Sequence, residues 1–110
     1  MALYLYQAAY TPEAWEALLS KPQDPRERVQ ALLDKLGGKI IGIWYAFGDY
    51  DIMAIVEYPG NQQSASAAMA LAAGKALKAA KTTPLMAIEE GVAAMKDAAD
   101  AVGLYRPPGH

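Results

Sequence analysis

Lys39–Tyr58, KIIGIWYAFGDYDIMAIVEY, consists of two apolar runs joined at Gly48-Asp49, and its reading decides the fold. With Gly48 and Asp49 at the centre of a hairpin turn and Gly48 supplying a positive φ, Phe47 faces Tyr50. The ladder then continues Tyr45–Ile52, Ile43–Ala54 and Ile41–Val56. Successive side chains alternate across a sheet, so these pairs share one face. Ala46 with Asp51, Trp44 with Met53, Gly42 with Ile55, and Lys39 or Ile40 near Glu57 share the other. The first face is apolar throughout; the second is apolar in its middle and charged at its ends. A sheet wetted on one side alternates apolar and polar residues, and this hairpin does not. Both faces are therefore expected to be covered, one by helices and the other by a partner subunit, a ligand or both.

Upstream, Ala2 to Tyr10 reads as a strand with Leu3, Leu5 and Ala9 on one face and Tyr4, Tyr6 and Tyr10 on the other. Thr11-Pro12-Glu13 is an N-cap, a proline at the first helical position and an acid in the first turn. The helix that follows is interrupted by Pro22 and Pro25 and restarts at Asp24-Pro25, with Val29, Leu32, Leu33 and Leu36 on one side. Gly37-Gly38 closes it as a left-handed cap. Downstream, Asn61 is the expected N-cap of an alanine-rich helix running to about Leu77. Lys78 to Ile88 is a fourth strand, and Pro84 within it favours a sheet edge. Glu89 to Val102 is a last helix with Val92, Met95, Ala99 and Val102 inward. The predicted order is that of a ferredoxin-like βαββαβ antiparallel sheet, α+β in class, with an added C-terminal helix and a partner subunit on the exposed sheet face. Residues 1–103 form one domain; residues 104–110 are expected to be an extended or disordered tail.

Ten basic and twelve acidic side chains leave a formal net charge of −2. That balance carries no electrostatic footprint for nucleic acid or an anionic membrane. The absence of cysteine excludes disulfides and thiolate chemistry and fits a cytoplasmic protein. No stretch has the length of a membrane span or the pattern of a signal peptide. No His, Cys and carboxylate cluster has metal-ligand spacing, and no phosphate-binding glycine motif occurs, so neither metal nor cofactor is expected. The single histidine, His110, is expected to have no role, whether native or the remnant of a tag.

Gly48, Tyr50 and Asp51, followed by Ile52-Met53-Ala54-Ile55-Val56-Glu57, resemble the signature of the GYD domain family. The similarity runs from about Tyr4 to Val92 and includes the Gly37-Gly38-Lys39 lead-in to the second strand. The resemblance implies a small prokaryotic α+β protein of the dimeric barrel kind with a largely uncharacterised function, and it assigns no catalytic residues.

An aromatic and acidic set remains: Tyr4, Tyr6, Trp44, Asp51, Met53 and Glu57. Read functionally, it lines a pocket between sheet and partner, with Asp51 as general base or polar anchor. Read structurally, the aromatics and Met53 are interface core, and Asp51 accepts backbone N–H bonds to fix the turn. Three functions follow. The favoured one is a homo-oligomeric module, a dimer or a ring of dimers, holding a small apolar or aromatic ligand between sheet and partner. The alternatives are a cofactor-independent enzyme of the dimeric-barrel kind using Asp51 and tyrosines, and a structural assembly component.

Overall fold

A computed structural model describes residues 1–109, so His110 lies outside the described residues. The chain runs β1 (Ala2–Tyr10), α1 (Pro12–Ser20), α2 (Pro25–Leu36), β2 (Lys39–Tyr45), β3 (Ile52–Tyr58), α3 (Asn61–Ala73), β4 (Leu77–Leu85) and α4 (Ile88–Ala101), then a 3-10 turn, Val102–Leu104. The strands form one antiparallel sheet in the order β2-β3-β1-β4. This is the ferredoxin-like arrangement, with β2 and β4 at the edges and Pro84 on an edge strand.

Local chemistry sets the helix ends. Thr11 Oγ1 accepts from the Ala14 N–H at 3.1 Å, and Asp24 Oδ1 accepts from the Arg26 N–H at 3.0 Å. Gly37, at φ 73°, ends α2 in the left-handed region, and the Gly38 N–H returns to the Leu33 carbonyl at 2.8 Å. Asn61 does not cap α3. Gly60 takes that position, and Asn61 instead accepts a hydrogen bond from the Tyr4 hydroxyl through Oδ1 at 2.5 Å. Gly74 stops α3 after Ala73, short of Leu77.

The hairpin departs from its expected form in two places. Tyr45–Ile52, Trp44–Met53, Ile43–Ala54 and Gly42–Ile55 pair as anticipated, but Val56 then pairs with Ile40 rather than Ile41. Ile41 is the extra residue of a bulge, which turns Ile40 toward the core and leaves Ile41 exposed. At the tip, the last backbone bond joins the Ala46 N–H to the Asp51 carbonyl at 2.7 Å. The connection is therefore a wider loop, not a two-residue turn. Gly48 has no positive φ, and Phe47 is fully exposed rather than packed on Tyr50. Gly42 provides clearance instead: the Trp44 indole lies over it, where a Cβ would collide with the ring.

α1, α2 and α3 occupy one face of the sheet. α4 finds no room there, and its principal packing is with the 3-10 turn that follows it. Val92, Met95 and Val102 were expected inward; Met95 is 71% and Val102 74% exposed. The protruding helix helps to stretch the molecule to 59 × 32 × 22 Å.

Gly38 and Gly48 should separate in denaturant titrations. A Cβ at Gly38 would lie 2.7 Å from Tyr58 Cε1 and 2.9 Å from Leu33 Cδ2. Gly38→Ala is expected to cost about 1–3 kcal/mol by overpacking. Gly48→Ala meets open space and is expected to stay within about 0.5 kcal/mol of the parent.

Candidate functional site

Register on the central strands decides what faces the helices. Tyr4 pairs with Val56, Tyr6 with Ala54 and Ala8 with Ile52, so these six side chains share a face. Large residues on this face alternate with alanines, and the helices opposite present small residues too: Ala14 and Ala17 from α1, and Ala67 and Ala68 from α3. Alanine cannot bridge the roughly 10 Å between packed layers. The layers meet at a thin core around Tyr4, Leu33, Ala54, Val56, Tyr58 and Ala67, and the rest of the gap is a cavity of about 810 Å³. Buried clefts of this size are typical of small-molecule sites.

A few polar groups punctuate the apolar wall. Tyr4 is committed to Asn61, and its ring meets Tyr58 edge-on at 5.8 Å. The Tyr10 hydroxyl accepts from Arg28 Nη2 at 3.3 Å while its ring packs edge-on against Trp15. Ser64 is buried and Thr82 half-buried at the lining. The Tyr6 hydroxyl differs from all of these, being buried with no hydrogen-bond partner. A buried polar group left unpaired costs about 1–3 kcal/mol. Burial, reinforced by the neighbouring Tyr58 and Tyr10 phenols, pushes its pKa up to about 12 and keeps it protonated at neutral pH.

The anticipated site residues do not converge. Tyr4 and Tyr6 face the helices, whereas Trp44, Met53 and Glu57 lie on the opposite face with Leu3, Leu5, Ile55 and Leu85. The strand order explains the split: β1 pairs with β3 in a register that aligns its tyrosines with Ala54 and Val56, and alternation sends Met53 and Glu57 the other way. Asp51 lines neither group. Its Oδ2 accepts from the Tyr10 N–H at 2.8 Å, and its own N–H donates to the Ala8 carbonyl at 2.9 Å. The carboxylate thus ties the hairpin loop to the end of β1. Gly48 and Tyr50, the other motif residues, belong to the same loop. Tyr10, Arg28 and Ser64 were missed as lining residues. Tyr10's place on the tyrosine face was legible from alternation, but its partner on α2 was not.

Among the described residues no group of His, Cys, Asp and Glu side chains is arranged to hold a metal ion, and no helix is long and apolar enough to cross a membrane. The family model for the GYD domain matches residues 4–98. No curated protein shows significant sequence similarity. Among solved structures, the crystal structure of MtbAldR superposes with a TM-score of 0.51 at 12% identity, over 78% of this chain and 52% of that one. The chain spans about half the length of that protein, and at this identity the likeness is one of fold.

Because the Tyr6 pKa is raised in the folded state, its contribution to stability is intact below its ordinary value of 10 and is lost as pH rises toward 12. Tyr6→Phe is expected to be neutral or stabilising by up to about 1–3 kcal/mol at neutral pH. It should also shift the alkaline loss of stability upward. Urea midpoints measured from pH 7 to pH 11.5 check both expectations.

Proposed function

We propose that this chain, which belongs to the GYD domain family, is a small-molecule-binding α+β module that works as a homo-oligomer. Its ligand, apolar or aromatic, sits between the sheet and the chain's own helices rather than between sheet and partner. The observation that carries this reading is the cavity of about 810 Å³ between the sheet and the helices, with Tyr6, Ala8 and Ala54 of the sheet in its lining. A domain of this size gains stability by filling its core, so the unfilled volume lined by alanines of sheet and helices makes sense as room kept for an occupant.

A second copy, in a dimer or a ring of dimers, would cover the opposite face of the sheet. Support comes from the apolar side chains left there: Leu3 and Leu85 are exposed, and Trp44 is 53% exposed over Gly42. Catalysis by Asp51 has less support, because its carboxylate is occupied by the Tyr10 backbone and lies outside the cavity lining. Among the alanines of α3, Ala67 and Ala68 are at the cavity wall, which leaves them less available for the alternative of a structural assembly component.

Native mass spectrometry of the protein incubated with small aromatic probes should retain one ligand per subunit. Ala68→Phe, which projects a ring into the cavity, should abolish retention while leaving the fold intact by circular dichroism. Retention unchanged by that substitution would reject the site. Light scattering coupled to gel filtration should report a dimer or a multiple of it, and Leu5→Glu, at the middle of the bare face, should yield monomers. A parent protein that is already monomeric at micromolar concentration would reject the assembly reading.

A further inference from the structure

Charge around the cavity is one-sided. Lys21, just after α1, and Arg28, on α2, are the charged side chains among the described residues that line it, and no Asp or Glu does. The chain as a whole carries more acids than bases, so composition does not account for this bias. Both cations are exposed, at a rim where Gln23 and Pro25 also line the opening. Arg28 is held there from two sides: Nη2 donates to the Tyr10 hydroxyl at 3.3 Å and Nη1 to Gln23 Oε1 at 3.4 Å. Asp24, four residues before Arg28, is engaged by the Arg26 guanidinium at 2.7 Å and by the Arg26 N–H, and among the described residues the adjacent Glu27 makes no ion pair with Arg28. Arg28 therefore presents its charge at the rim without a carboxylate bonded to it. An arginine fork matches a carboxylate, and a lysine adds a point charge beside it.

From rim to interior the wall changes character. Tyr10, at the rim, and Tyr6, in the interior, lie on the same face of β1 four residues apart, roughly 13 Å along the strand. Apolar walls fill that span, including Ala8 between the two tyrosines and Ala54 on β3.

We propose that the ligand is an elongated apolar or aromatic carboxylate, its anionic end held at the rim by Arg28 and Lys21 and its body lying along β1 toward Tyr6. This rests on the cavity being the ligand site. The cations select the acid over a neutral molecule of the same shape.

Isothermal titration of the full chain with 4-phenylbutanoate and with the neutral 4-phenylbutan-1-ol tests the assignment. The acid is expected to bind at least about tenfold more tightly than the alcohol, equivalent to about 1.4 kcal/mol. Arg28→Gln and Lys21→Gln, separately and together, should erase that preference while leaving the alcohol's affinity unchanged. Equal binding of acid and alcohol by the parent protein, or a preference that survives the double substitution, would overturn the carboxylate assignment and leave the cavity reading standing. Binding of neither compound by the parent would count against the cavity reading itself and remove this inference with it.

Discussion

The space between the sheet and its helices is left partly unfilled where alanines from both layers line it, and the rest of the molecule is arranged around that constraint. Protein interiors normally pack as densely as organic crystals. Here Ala8 and Ala54 on the sheet look across at Ala14, Ala17, Ala67 and Ala68 on the helices. Several of the large side chains on the helix-facing side of the sheet are tyrosines, and each brings a hydroxyl. Tyr4 and Tyr10 find Asn61 and Arg28; Tyr6 finds nothing. The unfilled volume and the unsatisfied donor are thus two consequences of one choice of residues.

β1 makes the arrangement possible. As a central strand paired on both sides, it fixes the positions of Tyr4, Tyr6 and Tyr10 against β3 and β4, and the Asp51 loop locks its end. Of the family motif residues, Asp51 makes a structural contact in this chain. The Asp51 carboxylate satisfies the Tyr10 N–H at the point where the register between β1 and β4 shifts, where a ladder bond would otherwise be lost. Holding that N–H also holds Tyr10, and through its hydroxyl the rim arginine.

Two apolar surfaces remain outside this network of contacts: the far face of the sheet and the inner stripe of α4. The first follows from a sheet whose helices all lie on one side. The second follows from chain order, because α4 is the fourth helix to arrive and the covered face is already occupied by three. An amphipathic helix that finds no groove on its own domain leaves its apolar stripe in solvent, where further burial can come only from another surface.

Much of this architecture was legible in the residues. Caps at Thr11 and Asp24, the glycine pair after α2, Pro84 on an edge strand, the alternation of tyrosines on β1 and most of the hairpin ladder are local features, and local stereochemistry specifies them. The family was legible as well, since its motif is contiguous. Asn61 and Gly48 were misread because tertiary partners overrode local preference: a tyrosine hydroxyl claimed the one, and a wider loop relieved the other of its turn. The site was divided wrongly for a deeper reason. Alternation within a strand says which residues share a face, but not which face that is relative to a strand paired from far along the chain. Sequence alone determined the elements, their order and the two-sided apolar character of the hairpin. Only the tertiary structure decided that Tyr4 and Tyr6 look toward the helices while Trp44 and Met53 look away, because inter-strand register is set by long-range pairing and packing rather than by neighbours along the chain.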